Sequence, residues 1–325
     1  MKEKKLNILF VSSGNSTNFD IVPFIKSQGT SLIKLGNNVT FYTVKGKGLA
    51  GYLKNIPRLR KLIKTNNFDI LHAHFAYCGW VSLLTFTKIP KVLSLMGGDA
   101  YGEVNKTGKM TIFSSFMIFQ GQLIQFFYKK IIVKSQNLEK YVRNKSKVNL
   151  IPNGVDFEKF NKISTEEARF KIGLPKDKIL LLFIGNPNDP RKNLKLLEEA
   201  SRDFDFKDYE IVKPYPISHD LVPYYFNACD VFVFPSYLEG SPNVIKEAMA
   251  CNVKIVATPS GDIKERSKGV TNFWLSEFNP ISLSNNIKEA IQYKGLLNSR
   301  EKLQPEFDES IIALKILKIY SELIR

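Results

Sequence analysis

The stretch Val231-Phe-Val-Phe-Pro-Ser-Tyr-Leu-Glu239-Gly-Ser-Pro-Asn-Val-Ile-Lys-Glu247-Ala-Met-Ala-Cys251 decides the reading of this chain. It starts as a continuous apolar run closed by a proline, which is how a strand buried on both faces looks. A short loop carrying Glu239 and Gly240 follows. A helix is then expected, with Ser241 as its N-cap and Pro242 at its first position. The first amides of such a helix, around Asn243 and Val244, form an anion site, and Gly240 lets a ligand come close to the backbone. Glu239 and Glu247 stand on either side and can accept hydrogen bonds from hydroxyl groups. Two carboxylates flanking an anion suggest a polyol diphosphate.

The same strand, loop and helix order occurs upstream, where Ile179–Gly185 leads into Asn-Pro-Asn-Asp-Pro-Arg191-Lys192-Asn193-Leu194. Arg191 and Lys192 therefore sit at a second helix start on the same side of the sheet. Each charge-assisted contact to a phosphate contributes roughly 1.5 to 3 kcal/mol, enough with helix dipoles to replace a metal ion. Further strands are expected at 6–11, 39–44, 69–73, 91–96, 130–135 and 148–152, then at Tyr209–Val212, Val231–Pro235 and Lys254–Ala257. Helical stretches between them point to α/β architecture with doubly wound parallel sheets. At 325 residues the chain exceeds the size at which one core keeps growing. The expected division is residues 1–155, residues 156–305, and a terminal helix within 306–325. In such sheets ligands bind beyond the carboxyl ends of the strands, here at Ser13-Gly14-Asn15, His72-Ala73-His74 and Met96-Gly97-Gly98-Asp99 as well.

Composition excludes disordered and fibrous chains, since 44% of residues are hydrophobic. Three cysteines (Cys78, Cys229, Cys251) give neither a disulfide framework nor metal-ligand spacing, which fits a reducing cytoplasm. The longest uncharged stretch, Met110–Tyr128, holds too many polar residues to span a membrane and is expected to be a buried helix, with contact at a membrane interface as the alternative. Asp203-Phe-Asp205 spells a metal-binding pair, but it ends a helical segment and lacks the apolar strand such a pair requires. His219 reads as a surface or capping residue. No Gly-x-Gly-x-x-Gly follows the first strand, which disfavours an NAD-dependent enzyme.

Taken in order along the chain, Asp69-Ile-Leu-His-Ala-His74, Gly97-Gly-Asp99, Ile151-Pro-Asn-Gly-Val-Asp156, Pro190-Arg-Lys-Asn193 and the Glu239-x7-Glu247 motif resemble glycosyltransferase family 4. The resemblance implies a GT-B fold: two Rossmann-like domains facing a cleft, the C-terminal helix packing back on the first. It implies a retaining, metal-independent transfer from a nucleotide sugar to a lipid-linked or saccharide acceptor, with no cofactor. It assigns Glu239 to the hydroxyls of the transferred sugar and Glu247 to the ribose. Lys192, with Arg191 beside it, goes to the diphosphate, and the backbone at Gly14 to that same group. His74 goes to the sugar near its reacting carbon, and Gly98 and Asp99 to the acceptor side of the cleft. Asn186 stands where the family often has Arg, so Lys192 is expected to matter more.

The formal charge of +16 is unevenly spread. Residues 1–155 hold 23 Lys and Arg against 6 Asp and Glu, while residues 156–325 hold 24 against 25. Seven of those basic residues lie between Lys45 and Lys64, interleaved with Leu49, Tyr52, Leu53, Ile56, Leu59 and Ile63. A basic amphipathic stretch of this kind suits an anionic membrane face. The expectation is a cytoplasmic enzyme, peripheral at the inner face of the membrane, acting on a lipid-linked or acidic acceptor. A sugar-nucleotide epimerase on the same fold is one alternative. A basic nucleic-acid-binding protein is the other, disfavoured because no RNA-reading aromatic motif or helix-turn-helix pattern is present.

Overall fold

A computed structural model describes residues 5–16, 19–102, 112–206 and 208–324, so Met110 and Thr111 of the uncharged stretch lie outside the described residues. The described chain divides into two compact units. The first holds the residues up to 154 together with 309–324, and the second those from 155 to 308.

The first unit is a six-stranded parallel sheet of β1 (Asn7–Ser13), β2 (Asn38–Val44), β3 (Ile70–His74), β4 (Lys91–Leu95), β5 (Lys130–Val133) and β6 (Val148–Leu150), in the order β2-β1-β3-β4-β5-β6. The second is a five-stranded sheet of β7 (Ile179–Leu182), β8 (Tyr209–Val212), β9 (Val231–Phe234), β10 (Ile255–Ala257) and β11 (Phe273–Leu275), in the order β11-β10-β9-β7-β8. Every strand pair is parallel. Both sheets share one plan: the second strand lies outside the first, and the third starts the run on the other side. The winding thus reverses between β1 and β3 in one sheet and between β7 and β9 in the other, and a crevice opens at the carboxyl ends of those pairs.

The apolar runs earn their burial by alternation. Phe232 and Phe234 of β9 join Leu180 and Leu182 of β7 in one core, while Val231, Val233 and Leu181 enter the core on the opposite face. Each such side chain contributes roughly 1.5 to 3 kcal/mol on leaving water. In the first unit Leu9, Val11 and Leu71 face one core, and Ile8, Phe10 and Ile70 the other. The terminal helix Glu309–Ile324 completes that second core with Ile312, Ile316, Ile319 and Tyr320. Its first residue is tied down as well, since Glu309 accepts hydrogen bonds from Ser27 (2.7 Å) and Lys34 (2.8 Å).

Two expectations need correcting. The strand β11, Phe273–Leu275, is not among the expected ones. The helix Ile112–Ile124 is not buried: Phe116 and Phe119 are exposed, as are Phe126 and Phe127 in the turn that follows. Among the described side chains, one side of the helix meets the core, through Ile124 and the close approach of Gly121 to the Asp99 carbonyl.

Candidate active site

The switch point of the second sheet brings together the two loops that the sequence singled out. The Tyr237 amide donates to the Arg191 carbonyl (2.8 Å), and the Asn193 side-chain amide donates to the Pro235 carbonyl (3.1 Å). Lys192 closes the contact, its ammonium 2.7 Å from Glu239 Oε1 and 5.2 Å from the centre of the Phe234 ring. Its aliphatic stem lies against Gly185, where a Cβ would stand 3.2 Å from Lys192 Cγ and Cδ on a backbone of φ +152°. Only glycine meets both conditions. The ammonium and carboxylate, with side chains 21% and 16% exposed, are thus poised at the sheet's edge with some solvent access.

The helix after Glu239 runs Asn243–Ala250, and its cap residue is Pro242, one position later than expected. Pro242 offers no side-chain cap, and the Ser241 hydroxyl donates instead to Asp262 Oδ2 (2.9 Å). The opening turn of this helix, beginning at Asn243 and Val244, carries the positive end of its dipole. Gly240 is held by a second loop. At Gly261, with φ +65°, a Cβ would stand 2.6 Å from the Gly240 carbonyl oxygen.

Glu247 points back toward the loop after β8. His219 Nε2 lies 3.0 Å from its Oε1, and His219 Nδ1 lies 3.1 Å from the Lys159 ammonium, which also pairs with Asp220 at 2.6 Å. An ammonium can only donate, so Nδ1 is the acceptor and the ring proton sits on Nε2, donated to Glu247. His219 is therefore no mere surface residue; the signal was its place just after a strand that neighbours β7, the same rule that located the other loops. Lys246, one residue before Glu247, was also unread. It is fully buried, donates to the Ser241 hydroxyl (3.3 Å), and is pushed by burial down to about 8.

Arg191 does not stand clear as a free cation. Its guanidinium meets Asp189 Oδ1 and Oδ2 at 3.2 and 2.7 Å. Burial works to raise the Asp189 pKa, but hydrogen bonds and charge from Arg191 outweigh it and hold the carboxyl below its usual range. Both cations of this loop are thus paired, Arg191 within the loop and Lys192 to Glu239 of the neighbouring one. Asp203 ends a helical turn as expected and pairs with Lys288 (3.7 Å).

In the first unit the reversal point lies between Gly14 and His74. The Gly14 amide donates to the Val44 carbonyl (2.9 Å), and a Cβ there would come 2.8 Å from Thr43 Cβ, so this glycine answers to packing and its own amide is already engaged. His72 and His74 share a face, as alternation along β3 requires, and both are fully buried; neither side chain reaches solvent. His72 bridges Tyr320 Oη (2.6 Å) and Ser94 Oγ (2.8 Å). His74 stacks on His72 at 4.2 Å, and neither of its ring nitrogens has a hydrogen-bond partner among the described residues. Burial, then His72 and Lys134, press its pKa well below the ordinary value, so the ring is neutral. Asp99 turns inward, accepting from the amides of Met96 and Gly97 (2.9 Å each) and Ala76 (3.0 Å). It shapes the loop from within, while Gly98 faces open space.

Comparison with known proteins matches this geometry to a family. The profile described as glycosyltransferase family 4 matches residues 25–159, and that of glycosyl transferases group 1 matches residues 167–293. The N,N'-diacetylbacillosaminyl-diphospho-undecaprenol alpha-1,3-N-acetylgalactosaminyltransferase of Campylobacter jejuni is 26% identical, over 94% of this chain and 91% of that protein. The Escherichia coli UDP-Gal:alpha-D-GlcNAc-diphosphoundecaprenol alpha-1,3-galactosyltransferase is 25% identical over 74% and 71%. Among solved structures, sucrose-phosphate synthase from Thermosynechococcus elongatus superposes with a TM-score of 0.78 at 18% identity, covering 98% of this chain and 99% of that one.

Proposed function

Because the chain belongs to the group 1, family 4 glycosyltransferases and has their GT-B fold of two Rossmann-like domains, we propose that it moves a sugar, with retention of configuration and without a metal ion, from a nucleotide diphosphate sugar to a lipid-linked acceptor. The observation that carries the donor half is the Lys192–Glu239 pair at 2.7 Å, set beside the start of the helix Asn243–Ala250. In that reading the donor diphosphate lies between the Lys192 ammonium and the helix amides. As the ammonium turns to the phosphate, the Glu239 carboxylate is released to accept from sugar hydroxyls. Glu247, oriented by the Nε2 proton of His219, accepts from the ribose hydroxyls.

The bond from the anomeric carbon to the diphosphate breaks, and a bond from that carbon to an acceptor oxygen forms. The acceptor's proton passes to the leaving phosphate. Negative charge grows on the departing nucleoside diphosphate, which is where fixed donors give most. Lys192 is the principal such group, and Arg191, clamped to Asp189, contributes from farther back. His74 is neutral and fully buried within the first unit, so its ring offers no exposed edge to a sugar. Two relatives named for diphosphoundecaprenol-linked acceptors, one also for a UDP donor, support this substrate class. A lipid-linked acceptor in turn calls for a peripheral position on an anionic membrane.

A calorimetric and thermal-shift screen of UDP, GDP and their common sugars tests the donor site. At least one should raise the melting temperature by several degrees. Glu247→Ala should abolish that shift, and His219→Ala should weaken nucleotide binding about tenfold with little change in the unliganded melting temperature, as expected for one charge-assisted hydrogen bond. Retention is read from the anomeric configuration of the product by NMR. A screen in which no nucleotide stabilises the protein would sink the proposal.

A further inference from the structure

The charge of the first unit invited attention to Lys45–Lys64, but the apolar residues of that stretch are mostly spent elsewhere. In the helix Ile56–Thr65, Leu59 is buried and Ile56, Leu62 and Ile63 pack against the core, which leaves Arg58, Arg60, Lys61 and Lys64 exposed as a purely basic face. The exposed apolar residues lie elsewhere in the first unit, on the helix Ile112–Ile124 and the turn after it. Phe116, Phe119 and Phe126, at spacings of three and seven, are 44, 55 and 58% exposed, with Phe127 beside them at 56%. Phe127 meets Trp80 at 5.9 Å, and the turn after the Trp80 helix (Ala76–Leu83) carries Phe86, 75% exposed and held at φ +53°. A bulky residue in the left-handed region is strained, and the Phe86 ring is exposed there.

Cations bracket this strip. Arg60 donates to the carbonyls of Leu84 (2.9 Å) and Thr85 (3.2 Å) and sits 5.3 Å from the centre of the Phe86 ring. On the other flank Arg143 donates to Gln122 Oε1 (3.0 Å), and Lys147 to the Phe126 carbonyl (3.1 Å). Lys129, Lys140 and Lys145 are exposed nearby, against the single acidic residue Glu139 on that segment. Exposed aromatic rings in one strip mark an interaction surface, and a basic border selects an anionic partner.

We propose that the face formed by Phe86, Phe116, Phe119 and Phe126 seats this protein on an anionic lipid bilayer, the rings entering the headgroup boundary while the flanking Arg and Lys side chains meet lipid phosphates. The inference rests on the peripheral, lipid-linked reading above for its purpose, and names the surface that serves it. The location suits an acceptor carried in the bilayer: the same helix packs through Gly121 on the carbonyl of Asp99, in the loop assigned to the acceptor.

Flotation with phosphatidylcholine vesicles containing about 30% phosphatidylglycerol is the test. The wild-type protein should float at low salt. The variant Phe86→Ser, Phe116→Ser, Phe119→Ser, Phe126→Ser should lose vesicle binding at least about tenfold, with its melting temperature and circular dichroism retained. A companion, Lys129→Gln with Arg143→Gln, should lose binding to the anionic vesicles and leave the residual binding to pure phosphatidylcholine unchanged. Three outcomes would overturn the inference: wild-type protein that stays unbound, a quadruple variant that floats like wild type, or a wild-type dimer that the quadruple variant turns into a monomer with flotation unaffected, which would make the strip an interface between copies. Sugar transfer to a short-chain soluble acceptor by a protein that does not float refutes this surface alone. Flotation by a protein that no nucleotide sugar stabilises refutes the donor reading and leaves the surface standing.

Discussion

Lys246 shows how much one buried residue can hold. It sits under the donor loop, donating to Ser241, whose hydroxyl in turn donates to Asp262, with Arg266 3.4 Å from the same carboxylate. Burial lowers its pKa from 10.5 to about 8. A lysine whose folded pKa lies below its unfolded one opposes folding at neutral pH, where both states hold the proton. The penalty is relieved as pH rises from about 8 toward 10.5, because there the unfolded chain keeps a proton that the folded chain has released. Lys246→Met should therefore be more stable than wild type near neutrality, by up to about 3 kcal/mol, with the gap closing toward about pH 10. Urea unfolding of both proteins across that range measures it; parallel stability curves would refute the assignment. The residue was illegible in the sequence because Ile-Lys-Glu in a helix looks like any half-solvated turn, and burial depends on the Asp262 loop arriving from elsewhere. Glu239, Glu247 and Lys192 were legible because each stands at a fixed short distance from a strand end.

At the scale of elements, the donor site is two loops and a helix start stitched by backbone bonds, and a third loop props them. Gly261→Ala should show that dependence: a methyl group 2.6 Å from the Gly240 carbonyl, on a backbone at φ +65°, must displace one loop or the other. The expected loss is about 1 to 3 kcal/mol of stability together with most of the nucleotide-induced thermal shift. A variant that binds nucleotide as wild type does would show that the prop is dispensable. Strand cores were readable because parallel strands buried on both faces leave unbroken apolar runs. Their ends were not: Pro235 and Gly185 extended the apparent runs, although a proline cannot donate to the ladder. The helix Ile112–Ile124 was misread for a related reason, since an apolar run has the same composition whether it meets a core or is left facing solvent.

For the molecule as a whole, the sequence already located the surplus charge in the first 155 residues and left the remainder near neutral. Vesicle binding should accordingly weaken as ionic strength rises through about 0.1 M, where the screening length falls to about 10 Å; binding insensitive to salt would show that the aromatic strip alone suffices and the charge has another purpose. By itself the sequence determined the α/β class, the division into two units, and the loops that bear Lys192, Glu239 and Glu247, because strand periodicity and helix-start chemistry are local properties of the chain. Only the tertiary structure decided that Lys192 meets Glu239, that His219 holds Glu247, that Arg191 is tied to Asp189, that Asp99 turns inward, and that the exposed apolar face belongs to the helix at 112–124. Those facts depend on which strands become neighbours, and neighbours such as β7 and β9, some fifty residues apart, are chosen by the packing of the whole sheet.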